Sequence, residues 1–398
     1  VTAHPHPLAE HYSRFRVDER PGEGRLLLTG HSHQAWPDRS LRGQLRAWED
    51  AARLVDEKWA AAFERAERVK RGFARLLGDD TGSYALAANT HELVVRFLSA
   101  LPLRERPRLV TTDGEFHSIR RQLARLAEEG IEVVRVPADD PHRIAGELAA
   151  AVDDRTAAVL VSTVLFQSGR VVPGLGAVQE AAHRAGAELL VDTYHHLNAL
   201  PCSLPEAGLD GAFAVGGGYK YCQLGEGNCF LRVPEGCRLR PVVTGWFAEF
   251  EAVAEAPAGE VAYGEGAARF IGATYDPTSH YRAAEVFDFF DEVGLTPRRL
   301  REVSQHQVGL LARGFDRLDA DPKLVRRDRG VPLEEVGGFL VLESPRAEEL
   351  RAELRRRGVL ADHRDDRLRL GPAPYLSDRQ LEDGVEALRE AIVTVTSG

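Results

Sequence analysis

The chain has 398 residues, 43% hydrophobic and 28% charged, with a formal net charge of −10. That length suits two domains, or one large and one small, with the composition of a globular protein. The acidic balance argues against nonspecific nucleic-acid binding, and no apolar run reaches bilayer-spanning length. The first residues, rich in His, Pro and Arg, lack the apolar core of a signal peptide. Cys202, Cys222, Cys229 and Cys237 match no zinc spacing. Reduced thiols in the cytoplasm are expected.

Residues 1–39 read as irregular, with four prolines around the short apolar piece Leu26-Leu27-Leu28. Residues 40–77 carry continuous helical periodicity. Apolar runs then follow at 109–111, 131–136, 157–161, 188–191 and 212–215, separated by amphipathic helices near 118–129, 142–152 and 175–186. This alternation predicts an α/β fold with a mostly parallel sheet and right-handed crossovers, its ligands at the carboxyl ends of the strands. A loop-rich region, 241–280, leads to a long helical stretch, 281–319. A smaller unit closes the chain, with strands at 338–342 and 367–370 and helices at 346–357 and 378–393.

Lys220 is one of four lysines among 51 basic residues and follows Gly216-Gly217-Gly218-Tyr219. Arginine cannot lose its proton or form a Schiff base, whereas lysine does both. Upstream, Glu188-Leu-Leu-Val-Asp192 reads as a buried strand ending in a carboxylate. A strand-end acid followed by a lysine after a small-residue strand is what pyridoxal phosphate requires: a partner for its ring nitrogen and an amine for its aldehyde. The glycines are expected to leave room for that flat ligand. Phe116, between a strand and a helix, is placed to stack on the ring, against the alternative of a core phenylalanine. Thr90, as an N-cap, and His91 open a helix whose free N–H groups favour a phosphate, and Tyr219 adds a hydroxyl. His195, three residues past Asp192, is expected to bond the cofactor or orient the acid. Arg369 alternates with apolar neighbours, so it either clamps a substrate carboxylate or forms a structural ion pair. His31 and His33 flank Ser32, and no carboxylate–His set near them or His195-His196 completes a metal site.

Together these segments resemble the kynureninase family, within the class V aminotransferase group of fold-type I pyridoxal-phosphate enzymes. Asp192-Thr-Tyr-His195-His-Leu-Asn198 is similar to the family's Asp-x-x-His-x-x-Gly-Asn, and Gly218-Tyr219-Lys220-Tyr221 to its Ser-Tyr-Lys-Tyr. Thr244-Gly245-Trp246-Phe247 looks like its Gly-Trp-Trp loop. Arg369-Leu-Gly-Pro-Ala-Pro374-Tyr375 looks like the block whose arginine holds the substrate's α-carboxylate, with Asp362 and Arg364 placed as in the family.

The resemblance implies a large domain with a mostly parallel seven-stranded sheet between helices, residues 46–290, and a small C-terminal α/β domain, 291–398. Residues 1–45 would pack on the small domain and active site. Lys220 would carry the Schiff base and shuttle protons, Asp192 would anchor the ring nitrogen, and His195 would support the cofactor's polar edge. Thr90, His91 and Tyr219 would hold the phosphate, with Trp246 and Thr274 added across a homodimer interface. The implied reaction is hydrolysis of the Cβ–Cγ bond of L-kynurenine or a related γ-keto amino acid, releasing alanine and an acid. Departures cluster near the substrate. Gly30-His31-Ser32-His33-Gln34 replaces Gly-Asn-Ser-Leu-Gly, making His31 and His33 substrate-side candidates, and Leu165 stands where the family often has asparagine. A transaminase, lyase or epimerase on the same cofactor is the alternative; a desulfurase would need a small-domain cysteine, and none follows Cys237.

Overall fold

The computed structural model describes residues 8–22, 24–250 and 261–397. Its strands are β1 (Leu26–Leu27), β2 (Ser83–Ala87), β3 (Arg108–Thr112), β4 (Glu132–Val136), β5 (Thr156–Ser162), β6 (Glu188–Asp192), β7 (Phe213–Gly217), β8 (Cys229–Val233), β9 (Leu340–Glu343), β10 (Val359–Leu360), β11 (Asp362–Arg364) and β12 (Arg367–Leu370). The α-helices are α1 (Ser40–Leu54), α2 (Lys58–Leu76), α3 (Thr90–Ala100), α4 (His117–Glu128), α5 (Pro141–Ala151), α6 (Leu175–Ala185), α7 (Thr278–Val293), α8 (Pro297–Asp316), α9 (Ala347–Arg356) and α10 (Asp378–Ser397).

Strands β2 to β8 form one seven-stranded sheet in the order β2-β8-β7-β6-β5-β3-β4. All neighbours are parallel except β8, which runs antiparallel to both β2 and β7. The central β5, Thr-Ala-Ala-Val-Leu-Val-Ser, is buried at every position, as a strand covered on both faces must be. The expected α/β fold with a mostly parallel sheet is therefore present. Strands β2 and β8 are additions to the five apolar runs.

Two expected helical stretches are broken. Residues 40–77 divide at Val55, which has φ +54° at the end of α1. Residues 281–319 fall in two helices that divide at Gly294 (φ +67°), with Pro297 opening α8. Glycine in the left-handed region ends a helix, and proline at a first turn begins one. The supposedly irregular N-terminus contains a 3₁₀ turn, Leu8–Phe15, that buries Tyr12. It also contains β1, which pairs in parallel with β10, Leu26 opposite Val359. Strands β11, β12 and β9 make a separate antiparallel sheet.

Candidate active site

The carboxyl ends of β2, β3, β5, β6 and β7 open onto one cavity of about 250 Å³. Thr90, His91, Phe116, Asp192, His195, Tyr219 and Lys220 all line it. The segments that carry them are far apart in sequence, and the parallel strands bring them together.

Lys220 is 5% exposed. Its Nζ lies 2.6 Å from His195 Nε2 and between 4.8 and 5.8 Å from the ring centroids of Tyr194, Phe116 and Tyr219. Burial among rings disfavours the ammonium and pulls this amine down to about 7. The same burial holds His195 well below the usual imidazole range, with the lysine charge adding to it. A neutral His195 thus faces an amine balanced between two protonation states.

Asp192 ends β6 and accepts a hydrogen bond from the Tyr194 N–H on Oδ1 (2.8 Å). Burial raises its pKa. His195 contacts Lys220 and not Asp192, so it does not orient the acid; the backbone of Tyr194 does. Behind Phe116, Glu115 is 2% exposed and accepts from Thr112 Oγ1 (2.7 Å), Ser162 N (3.1 Å) and Ser162 Oγ (2.5 Å). These bonds tie the ends of β3 and β5 together beside the cavity. The N-cap of α3 is Asn89 rather than Thr90. Its side chain accepts from Glu92 N at 3.0 Å, and Thr90 is the first helical residue.

The three glycines before Lys220 do not hold space for a ligand. A Cβ on Gly216 would meet Leu197 and Phe230, one on Gly217 would meet the Tyr194 hydroxyl at 2.4 Å, and one on Gly218 would meet Leu224. Protein side chains fill the room that the glycines leave.

Arg369 and His31 lie in an adjoining cluster. Asp362 and Arg369 are cross-strand partners in the β11–β12 pair. Arg369 Nε donates to Asp362 Oδ1 (2.7 Å), Nη2 to Oδ2 (2.6 Å), and Nη1 to the Phe166 carbonyl (2.5 Å). His31 Nε2 is 3.0 Å from the same Asp362 Oδ1. His33 is at the rim, stacked on Tyr219 with centroids 4.7 Å apart. Trp246 and Thr274 bond each other, Nε1 to Oγ1 at 3.2 Å, outside the cavity lining. Tyr194, Ser162 and Asn89 had no assigned part from sequence. The position of Tyr194, two residues past Asp192, was the available signal.

The aminotransferase class-V family profile matches residues 84–225, the span holding Lys220, Asp192 and Phe116. Over those residues the chain is similar to class V aminotransferases. It is 27% identical over 376 residues to a kynureninase from Burkholderia pseudomallei (strain 1106a), covering 88% of this chain and 82% of the relative. It is 22% identical over 337 residues to the uncharacterized aminotransferase YcbU of Bacillus subtilis (strain 168), covering 83% and 85%. Among solved structures it resembles a lysine-to-alanine mutant of C-DES with glycine covalently linked to its pyridoxal-phosphate cofactor. That match has a TM-score of 0.81 and 16% identity, covering 97% of this chain and all of the other. The apo cysteine desulfurase from Thermococcus onnurineus NA1 matches with TM-score 0.78 and 16% identity, covering 96% and 98%. These structures share the fold-type I architecture.

Pyridoxal phosphate is the cofactor of this protein, and the residues fit it. The cavity offers a buried amine, an acid, a ring to stack on and the start of α3, and His195 Nδ1 is a buried polar atom with no partner among the described residues. The four cysteines are free thiols. Burial raises all of them, Cys229 to about 12 although it borders the cavity.

Proposed function

We propose that this protein is a kynureninase-like hydrolase that cleaves the Cβ–Cγ bond of a γ-keto amino acid, releasing alanine and a carboxylic acid. The relationship to a kynureninase along 88% of the chain carries this reading. The unactivated thiols support it over a reaction that needs a cysteine nucleophile. When bound, pyridoxal phosphate supplies an aldehyde that takes up an amino group and a ring that stores the electron pair released at the substrate's carbons.

In this reading, Lys220 Nζ accepts and returns the substrate's α-proton, because burial leaves its amine neutral for part of the time near neutral pH. Neutral His195 steadies that amine through Nε2. Asp192 keeps a proton on the ring nitrogen, and Phe116 stacks on the ring. Thr90 and His91 at the start of α3, with Tyr219, receive the phosphate. Arg369 clamps the α-carboxylate, and His33 and His31 border the substrate. Residues 46–290 and 291–398 act as large and small domains, with the described part of 1–45 packed against the latter and the site, residues 1–7 lying outside the described residues. A homodimer would bring Trp246 and Thr274 to a neighbouring site.

The test is incubation of cofactor-loaded protein with kynurenine, 3-hydroxykynurenine and alkyl γ-keto amino acids, followed by product mass. Alanine with the matching acid is expected. A keto acid with transfer of the amino group would replace this reading with the transaminase that the YcbU relationship favours.

A further inference from the structure

We propose that carboxylate binding passes Asp362 from Arg369 to His31, so that each ligand bound draws a proton onto His31. The inference rests on Arg369 being the carboxylate clamp. Arg369 is 3% exposed, and its guanidinium is already occupied by both oxygens of Asp362 and by the Phe166 carbonyl. These bonds use three of its five N–H groups, so a carboxylate arriving at the remaining two shares the cation with a resident one. Asp362 has a second partner in place, His31 Nε2, on a ring with no exposed surface whose Nδ1 has no hydrogen-bond partner among the described residues.

Charge balance gives the direction. The resting cluster holds one cation, Arg369, one anion, Asp362, and a neutral His31, which burial lowers to about 4. A ligand carboxylate adds a second anion where water cannot screen it, and uncompensated buried charge is costly. The other charged or titratable groups facing His31 are Lys220, committed to the cofactor in the loaded protein, and His195, committed to Lys220. Arg364 lies 3.8 Å from Asp362 but is 42% exposed and keeps its hydration. His31, already on Asp362 Oδ1, restores neutrality when Nδ1 takes a proton from solvent.

The probe is 3-benzoylpropionate, a γ-keto carboxylate without an amino group, so no exchange with Lys220 contributes protons. Calorimetric titration of cofactor-loaded protein at about pH 6.5, in buffers of different ionisation enthalpy, reads the proton count directly. Uptake of roughly one proton per bound probe is expected in the parent and none in His31→Gln. Asp362→Asn, which frees the guanidinium, is expected to bind the probe about tenfold more tightly, again with no uptake. Zero uptake by the parent, or unchanged uptake in His31→Gln, would overturn the exchange while leaving the clamp standing. Unchanged affinity in Arg369→Gln would overturn the clamp and the exchange with it.

Discussion

Arg232 and Asp79 are a side-chain pair with no exposed surface, joined through two guanidinium nitrogens at 2.9 Å each. Arg232 also donates to the carbonyls of Asp210 and Ala212, and the Tyr84 hydroxyl donates to Asp79 at 2.6 Å. This pair fixes β8 beside β2 and β7, and hence the far side of the Lys220 loop. Removing one partner leaves a buried charge, so Arg232→Ala is expected to cost about 3–5 kcal/mol of stability, read from denaturant unfolding. Lys220 makes a pH-dependent prediction. Only its neutral amine attacks an aldehyde, and burial lowers its pKa to about 7. The rate of cofactor uptake by apo protein should therefore rise with pH through a midpoint near that value, followed by absorbance. A midpoint in the ordinary lysine range would contradict the buried environment.

At the scale of elements, the end of β7 that leads into the Lys220 loop tolerates little added bulk. Gly217→Ala places a methyl against the Tyr194 hydroxyl and Cys229. Overpacking of this kind costs about 1–3 kcal/mol, read as a lowered melting temperature, with weaker cofactor retention. The sequence singled out the lysine of this loop but misjudged the reason for its glycines, because the partners that crowd them come from 194, 197, 224 and 230. Strand β2, Ser-Tyr-Ala-Leu-Ala, went unread because alanine is a weak strand signal, and β8 because Arg232 interrupts its apolar pattern. The strand-end placement of Asp192 was legible because a run of buried aliphatics leads directly into it. The Asp362–Arg369 bond was not: Asp362 and Arg369 were visible as a block, but only the cross-strand register shows that the arginine is already paired.

For the whole molecule, a large part of the question is what covers its exposed apolar groups. Trp48 is 79% exposed and Val242 83%, with Trp246 and Phe250 also open. Contiguous apolar surface commonly marks an interface, Trp246 and Phe250 lie in ring contact, and a two-fold dimer would bury them. Sedimentation of the parent should give a dimer, and Val242→Glu with Trp246→Glu should shift it toward monomer. A monomeric parent would remove the proposed contribution of Trp246 and Thr274 to a neighbouring site. Among the described residues, no helix is long and apolar enough to cross a membrane.

The pairing of β1 with β10 sets an order on assembly. Leu26 and Val359 lie side by side although nearly the whole chain separates them. Tyr12, a little earlier, hydrogen-bonds Gln223, whose own N–H bonds the Lys220 carbonyl at 3.1 Å. A contact of such sequence separation carries a high loop-closure cost and forms late. On the ribosome, the seven-stranded sheet has all its strands long before β10 emerges, so the lysine loop can exist while the N-terminal residues still lack their final partner. Completion of the site is then a last event of synthesis, and a nascent chain stalled short of residue 359 would hold Lys220 without the adjoining Asp362–Arg369 pair.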